Sequence, residues 1–330
     1  MLHFPHMKLA WNWKRWPFAA AALALAAVPA LAHEKWYVDH RGASFVDPVF
    51  AYVSPSFAWA ILAVGAAAFL GAAWLDRRLD GSGFTHWIDK KLLSFPFNPR
   101  TVLGVCIGVS LMGAGLKGTL FSPSLVLGGD SWGVALGIAQ IGLGALFLFL
   151  EPAYSELGFL LGLLFLAGLP VLPFWDLMEE LFMLGAAVFF VTGASKRTTW
   201  KFLRGPEVQR LGYQAFRVLI GVNFLVLSGV KWLHPEFGIR IVSEYSLNFL
   251  SGLGASDAHF IFIAAVVETI VALCLLLRVA LRPAAAVGLL LFLISIYFLG
   301  FSELLGHLPV KAALFLFFLY GHWHEGETRA

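Results

Sequence analysis

The sequence alternates between long apolar runs and short polar stretches. Nine runs stand out, at residues 50–75, 101–120, 133–150, 157–173, 177–193, 214–232, 258–277, 284–301 and 307–321. A helix needs about 20 apolar residues to cross the hydrocarbon core of a bilayer, so most of these runs can cross it, and the shorter ones need tilt or help from flanking residues. The pattern predicts an all-α, polytopic transmembrane protein whose mature chain crosses the membrane nine times.

The composition excludes a soluble globular domain. Hydrophobic residues make up 59% of the 330 residues and charged residues only 13%, which is more apolar surface than water can solvate. The formal net charge of +3 is confined to a few loops instead of forming a basic face. We therefore expect a lipid bilayer, and no nucleic acid, as a partner.

The first 32 residues are typical of a secretory signal peptide. Positive charges precede a short apolar region at residues 18–28, and Ala30-Leu31-Ala32 follows as an A-x-A cleavage signature. Cleavage makes His33 the new N-terminus on the exported side. The alternative is an uncleaved membrane anchor.

The exported segment, residues 33–49, carries the candidate metal ligands. A free N-terminal histidine chelates copper through its amine and ring nitrogen, and His40 or Glu34 is close enough in the sequence to add a further ligand. His33 and His40 are the predicted copper site. The alternative is an interfacial segment in which Trp36 and Tyr37 anchor the chain at headgroup depth.

Basic residues are concentrated in three of the loops between the apolar runs. When the spans are counted from an exported N-terminus, all three loops fall on one side, and cytoplasmic loops are the ones enriched in Lys and Arg. We expect a multi-pass protein of the inner (cytoplasmic) membrane, with its mature N-terminus outside and its C-terminus in the cytoplasm. The basic residues are Arg77, Arg78, Lys90, Lys91 and Arg100; Lys196, Arg197, Lys201, Arg204 and Arg210; and Arg278 and Arg282.

The last eight runs divide into two groups of four with similar features in the same order. Residues 100–118 and 217–232 both begin with Arg and reach Gly-Leu-Lys or Gly-Val-Lys, and Gln140 of the next run corresponds to Glu268. This order predicts a tandem repeat of two parallel four-helix bundles, of which the second is the more functional because it keeps the carboxylate. The predicted segments are the signal peptide (1–32), exported segment (33–49), first transmembrane helix with a cytoplasmic amphipathic loop (50–99), first repeat (100–194), cytoplasmic linker (195–213), second repeat (214–321) and cytoplasmic tail (322–330).

The second copy resembles the DoxX/DoxD family of small four-helix membrane proteins. The residues that carry the resemblance are Arg217, Gly221, Gly229, Lys231, Pro235, Glu268, Arg278, Arg282, His307 and Lys311. The resemblance covers about residues 213–321 and, more faintly, residues 100–193. It implies a setting in membrane redox chemistry, since family members include a subunit of thiosulfate:quinone oxidoreductase and components of assemblies that handle thiol or oxidative stress.

Five ionisable residues of the second copy are predicted to meet in one pocket open to the exported side. Glu268 falls near the middle of its span, where an ionised carboxylate costs several kcal/mol unless it has a partner or faces the bundle interior. Lys231 is near the outer end of the preceding span. Glu303, His307 and Lys311 are spaced i, i+4, i+8, which places them on one face of one helix.

Two interpretations of this pocket stay open. In one, the same residues form satisfied ion pairs that fix the helix register, and the lysines extend toward the interface. In the other, the pocket binds a quinone headgroup or a small sulfur anion. The catalytic residues, which relay protons, are then Glu268 and His307, and the substrate-binding residues are Lys231, Glu303, Lys311 and Asn223.

Other polar and sulfur-containing positions are assigned structural roles. Cys106 and Cys274 lie inside apolar runs without a CxxC motif and are predicted to pack as small hydrophobic residues. Lys117, Glu179 and Glu180 lie near helix ends and are predicted to be mainly interfacial.

Three functional hypotheses follow from the sequence. The first is a subunit of a membrane quinone oxidoreductase that receives electrons from a protein partner. The second is an exported-side protein that binds or handles copper. The third is a non-catalytic membrane scaffold. No residue pattern in the sequence identifies the substrate.

Overall fold

The computed structural model describes residues 47–79, 82, 87, 90–92, 98–123, 125–193, 203 and 205–321. Regular structure in these residues is helical, apart from one isolated bridge between Thr119 and Val126. The predicted signal peptide, His33, His40 and the C-terminal tail lie outside the described residues. The α-helices are α1 (Pro55–Leu79), α2 (Pro99–Leu116), α3 (Ser131–Phe149), α4 (Tyr154–Gly168), α5 (Phe174–Met178), α6 (Leu181–Thr192), α7 (Pro206–Leu233), α8 (Pro235–Glu244), α9 (Asp257–Leu277), α10 (Leu281–Leu299), α11 (Phe301–Gly306) and α12 (Leu308–Tyr320).

Each predicted apolar run contains a helix, and six of these helices are long and apolar enough to cross a membrane: α1, α2, α3, α7, α9 and α10. The helices on the other three runs, α4, α6 and α12, have 15, 12 and 13 residues. Their lengths are about 18–22 Å, against a hydrocarbon core of about 30 Å. The prediction of an all-α integral membrane protein is confirmed, and nine complete crossings stay a prediction.

Eight helices form a closed ring in which each packs against the next. The order is α2, α3, α4, α6, α7, α9, α10 and α12, and α12 contacts α2. We call residues 99–192 the first helical group and residues 206–320 the second helical group. Helix α7, at their junction, is the most deeply buried of the six long helices. Helix α1 lies outside the ring and packs on α9.

Glycines allow neighbouring helices to touch through their backbones. A Cβ atom on Gly108 of α2 would lie 2.8 Å from the carbonyl oxygen of Gly144 on α3, and a Cβ on Gly144 would lie 2.8 Å from that of Gly108. Lipid provides little hydrophobic drive for helix association, so close packing of this kind holds α2 against α3. Gly221 of α7 leaves room for a side chain of α9, because an added Cβ would lie 2.9 Å from Cγ of Leu276.

Arginines close one end of the ring, which we call the arginine end. The guanidinium of Arg217 donates a hydrogen bond to the carbonyl oxygen of Leu276 at 3.1 Å, and Nε of Arg282 donates to that of Phe318 at 3.2 Å. The last carbonyl groups of a helix have no intrahelical donors, and cations are favourable beside them. These two arginines therefore stabilise the C-terminal ends of α9 and α12.

Candidate functional site

A cavity opens inside the second helical group, in the half farther from the arginine end. Its volume is about 220 Å³, and it lies between α7, α9 and α10. Helix α8, the turn that follows it and Glu303 of α11 complete the lining. The lining is almost entirely apolar, and its polar side chains are those of Lys231, Glu268, Ser295 and Glu303.

Lys231 of α7 and Glu268 of α9 form an ion pair on the cavity wall. The ammonium nitrogen lies 3.1 Å from Oε2 of Glu268, and the two side chains are 9% and 17% exposed. Glu268 is about 16 Å along α9 from its first residue at 1.5 Å per residue, near the middle of this 21-residue helix, which is long and apolar enough to cross a membrane. A carboxylate in apolar surroundings is costly without a partner, and Lys231 supplies one.

Glu303 is the centre of a second polar group. Its Oε1 accepts a hydrogen bond from the Ser295 hydroxyl at 2.7 Å and lies 3.0 Å from Nδ1 of His307. The backbone carbonyl of Glu303 accepts a hydrogen bond from the Lys311 ammonium at 2.6 Å. The ring of Phe292 lies against both neighbours, 5.0 Å from the His307 ring and 5.4 Å from the Lys311 nitrogen. All four polar side chains are therefore held on the α10 side of the cavity.

The structure corrects one detail of the predicted cluster. Glu303, His307 and Lys311 were expected on a single helix, but α11 ends at Gly306 and α12 begins at Leu308. His307 lies between the two helices with φ −104° and ψ 9°. The break follows from Pro309 in the first turn of α12, because proline has no N–H and begins helices more readily than it continues them.

Three predicted site residues line the cavity and two stand behind it. Those on the lining are Lys231, Glu268 and Glu303. His307 and Lys311 contact the cavity wall through Glu303 and Phe292. The sequence analysis did not identify Ser295, whose only sequence signal is a hydroxyl within an apolar run.

Two glutamates of the first helical group are buried, so their predicted interfacial position was wrong. Glu179 and Glu180 are 4% and 3% exposed. Burial raises the pKa of Glu180 to about 8, against the smaller opposing effect of a hydrogen bond from Ser122. Asn223 of α7 donates its side-chain amide to the backbone carbonyl of Glu179. Asn223 thus faces the first helical group and lies outside the cavity lining.

Gln140 stands in the first helical group at the position that the sequence aligns with Glu268. Its Oε1 accepts a hydrogen bond from the backbone N–H of Phe121 at 2.8 Å. Its Nε2 donates to the carbonyl oxygens of Leu111 at 3.0 Å and Thr119 at 2.9 Å. All of these partners are backbone groups, so Gln140 holds the turn between α2 and α3 in place.

That turn, of which residues 117–123 and 125–127 are described, fills the interior of the first helical group. Phe121 has φ 61° and a side chain with no exposed area, and its ring stacks on Phe165 of α4 at 6.0 Å. Phe165 is the twelfth residue of α4, and Phe292, which lines the cavity, is the twelfth of α10. Phe165 and Phe292 therefore hold corresponding positions in the two helical groups. In the first group Phe121 packs on this position, whereas in the second group the corresponding position borders the cavity.

Comparisons of this chain with protein-family models, with curated proteins and with solved structures found no match. The resemblance to the DoxX/DoxD family consequently rests on the sequence motifs alone. An apolar cavity with an ion pair and a carboxylate–hydroxyl contact in its wall is the feature from which a function has to be inferred.

Proposed function

We propose that the second helical group binds the headgroup of a quinone and that the protein is a subunit of a membrane oxidoreductase. The observation that carries the proposal is the cavity of about 220 Å³, whose apolar wall carries four polar side chains, those of Lys231, Glu268, Ser295 and Glu303. Ligand sites are mostly apolar with a few convergent polar groups. A quinone ring matches this lining because it combines an apolar body with carbonyl acceptors.

The charges favour a quinone over the small sulfur anion that the sequence also allowed. The lining carries one lysine and two glutamates, Lys231 with Glu268 and Glu303. The lysine charge is already compensated by Glu268 at 3.1 Å. An anion in this cavity would lose its water without gaining an unshared cation, and desolvating an ion is costly when it gains no partner. A neutral headgroup avoids that penalty.

The roles of the side chains follow from their contacts. The Lys231 ammonium is the donor for a quinone carbonyl, and Glu268 holds it at the wall. Oε1 of Glu303 lies 3.0 Å from Nδ1 of His307, and Glu303 lines the cavity while His307 lies behind it. These two side chains can therefore exchange protons with the quinone ring. Electrons come from a partner protein in the same membrane.

The membrane orientation belongs to the same proposal. Arg217 and Arg282 lie at the arginine end, and the positive-inside rule assigns such an end to the cytoplasm. The cavity then lies in the outer half of the inner membrane, with Glu268 near its midplane. The tandem repeat is supported by the ring, in which the four ring helices of the first helical group (α2, α3, α4 and α6) and the four of the second (α7, α9, α10 and α12) follow one another in chain order.

A scaffold role for the second helical group accounts less well for the cavity. Protein interiors that serve packing alone are filled to the density of organic crystals. The first helical group provides the comparison, since Phe121 is fully buried against Phe165 there. The copper site predicted at His33 and His40 lies outside the described residues and stays a prediction.

The test is direct measurement of quinone binding. Protein purified in a mild detergent is extracted with organic solvent, and quinone is quantified per chain, with roughly one expected. Equilibrium binding of a decyl-tailed benzoquinone is then compared between the wild type and Ala264→Phe, which places a ring in the cavity without removing a charge. We expect binding to weaken by about tenfold or more, a difference of roughly 1.4 kcal/mol.

The matched control is Val287→Phe on α10. Val287 is 41% exposed and absent from the cavity lining, so the same ring there faces outward. Equal loss of binding in both variants would assign the effect to the added ring itself. If neither the wild type nor the control retains or binds quinone, the proposed function is wrong.

A further inference from the structure

The cavity has two kinds of boundary. On one side are the buried polar groups of α7 and α11, Lys231 and Glu303, which are 7% and 1% exposed. On the other side are residues of α9 and α10 that are only partly covered, including Ile263, Val267 and Ile294. The cavity therefore changes from polar and enclosed to apolar and accessible across its width.

The accessible side faces lipid. On α10, Leu290, Leu293 and Tyr297 are 56%, 61% and 83% exposed, and they follow the i, i+3, i+7 spacing of one helix face. Ile294 and Phe298 come directly after Leu293 and Tyr297 and line the cavity. Because α10 is long and apolar enough to cross a membrane, we expect the crevice between α9 and α10, beside this face, to open toward acyl chains.

Helix α8 and residues 245–250, which we call the cap, cover the end of the cavity that is nearest the bilayer surface. Asn248 donates to the Asp257 carboxylate at 2.9 Å and to the carbonyl oxygen of Ala255 at 2.8 Å. Phe249 of the cap packs edge-on against Phe260 of α9 at 5.2 Å. These contacts bind the cap to the start of α9.

Helix α8 of the cap also packs closely on α9. A Cβ atom at Gly238 would lie 2.7 Å from the Ile261 side chain, so the absence of a side chain at Gly238 lets Ile261 of α9 pack directly on the backbone of α8. Ile241 and Val242 of α8 are buried and complete the apolar ceiling of the cavity. A water-soluble molecule arriving from the bilayer surface would have to displace this packed layer.

We propose that the ligand reaches the cavity sideways from the membrane, between α9 and α10, and leaves its apolar tail in that crevice. This inference rests on the proposed function and names its substrate class: a membrane-resident quinone with a long isoprenoid or alkyl tail. The ring lies at the Lys231–Glu268 wall, and the tail passes Ile263, Val267 and Ile294. A volume of about 220 Å³ is below the roughly 300–1,000 Å³ of sites that enclose a whole drug-sized ligand, so the tail remains outside.

The experiment uses a benzoquinone with a diazirine at the end of a decyl tail, bound to the full-length protein in lipid nanodiscs. After illumination, the labelled residues are mapped by mass spectrometry. We expect labels on the crevice residues of α9 and α10, and loss of those labels when excess unlabelled tailed quinone competes. Labels on the cap instead would overturn the inference, because the tail would then point toward the bilayer surface.

A pair of adjacent substitutions on α10 provides the functional arm. Ile294→Trp narrows the crevice, whereas Leu293→Trp puts the same side chain on the 61% exposed lipid face. We expect Ile294→Trp to slow association of the tailed quinone by about tenfold and to weaken binding of the tail-free headgroup much less, whereas Leu293→Trp leaves both unchanged. Equal losses for both quinones, or no loss for either, would refute access through the crevice while binding to the wild type still supported the proposed function. Absence of quinone binding to the wild type would refute both.

Discussion

Replacing Glu268 with Gln removes the acid of the buried ion pair and leaves Lys231 facing the cavity. At 3.1 Å and an effective dielectric constant of about 20, the attraction between the two charges is about 5 kcal/mol. Part of this attraction is offset by the cost of taking both ions out of water, and the 17% exposure of Glu268 reduces it further. Removing one partner of a buried pair nevertheless costs about 3–5 kcal/mol, because the other charge stays buried.

A double-mutant cycle separates the pairing from the rest of this cost. We expect Glu268→Gln and Lys231→Met each to lower the free energy of unfolding by about 3 kcal/mol, and the double variant to lose less than the sum by about 2 kcal/mol. The assay is reversible unfolding in mixed micelles followed by circular dichroism. Glu244→Gln is the control: its pair with Arg240 at 2.8 Å is 55% and 43% exposed and should contribute below about 1 kcal/mol. Additive losses for Lys231 and Glu268 would show that the two residues do not stabilise each other.

Three further predictions concern the first helical group. Gln140→Leu should lower the free energy of unfolding by about 2–4 kcal/mol, because three buried backbone groups lose their partner; thermal unfolding compared with Gln209→Leu, on the arginine-end part of α7, measures it. Gly144→Leu should cost at least about 1–3 kcal/mol, since a side chain there meets the carbonyl oxygen of Gly108 at 2.8 Å; an unchanged melting temperature would contradict the close packing of α2 and α3. The free energy of unfolding should fall as pH rises from about 4.5, the ordinary pKa of glutamate, to about 8, the pKa of Glu180 in the folded state, because only the folded state holds the Glu180 proton over that range. Glu180→Gln should remove this part of the pH dependence. An unchanged pH profile in that variant would contradict the prediction.

The helices were predictable because the membrane restricts the choice of structure. An apolar run near 20 residues has few options in lipid other than a helix, since every backbone group needs a partner. The same reasoning required Glu268 to face the bundle interior, to be protonated or to have a partner. It placed Lys231 in the same predicted pocket, and the structure brings the two side chains to 3.1 Å.

The features that escaped prediction depend on contacts between distant parts of the chain. The Glu179–Glu180 doublet precedes an apolar helix, a position typical of an interface, and it is buried because Ser122 and Asn223 come to it from elsewhere in the sequence. Asn223 faces the first helical group because α7 packs on both groups, and spacing along one helix cannot tell which neighbour each face meets. The break at His307, by contrast, had a local signal in Pro309.

The turn around Phe121 has a consequence for how the two halves of the molecule can change. Because Gln140 uses its whole amide on backbone groups of α2 and of that turn, the first half is complete in itself and tolerates little alteration inside. In the second half, charged side chains face the cavity, so their arrangement depends on the molecule that binds there. Substitutions that alter ligand specificity should accordingly be found in the second helical group, and substitutions that alter only stability in the first.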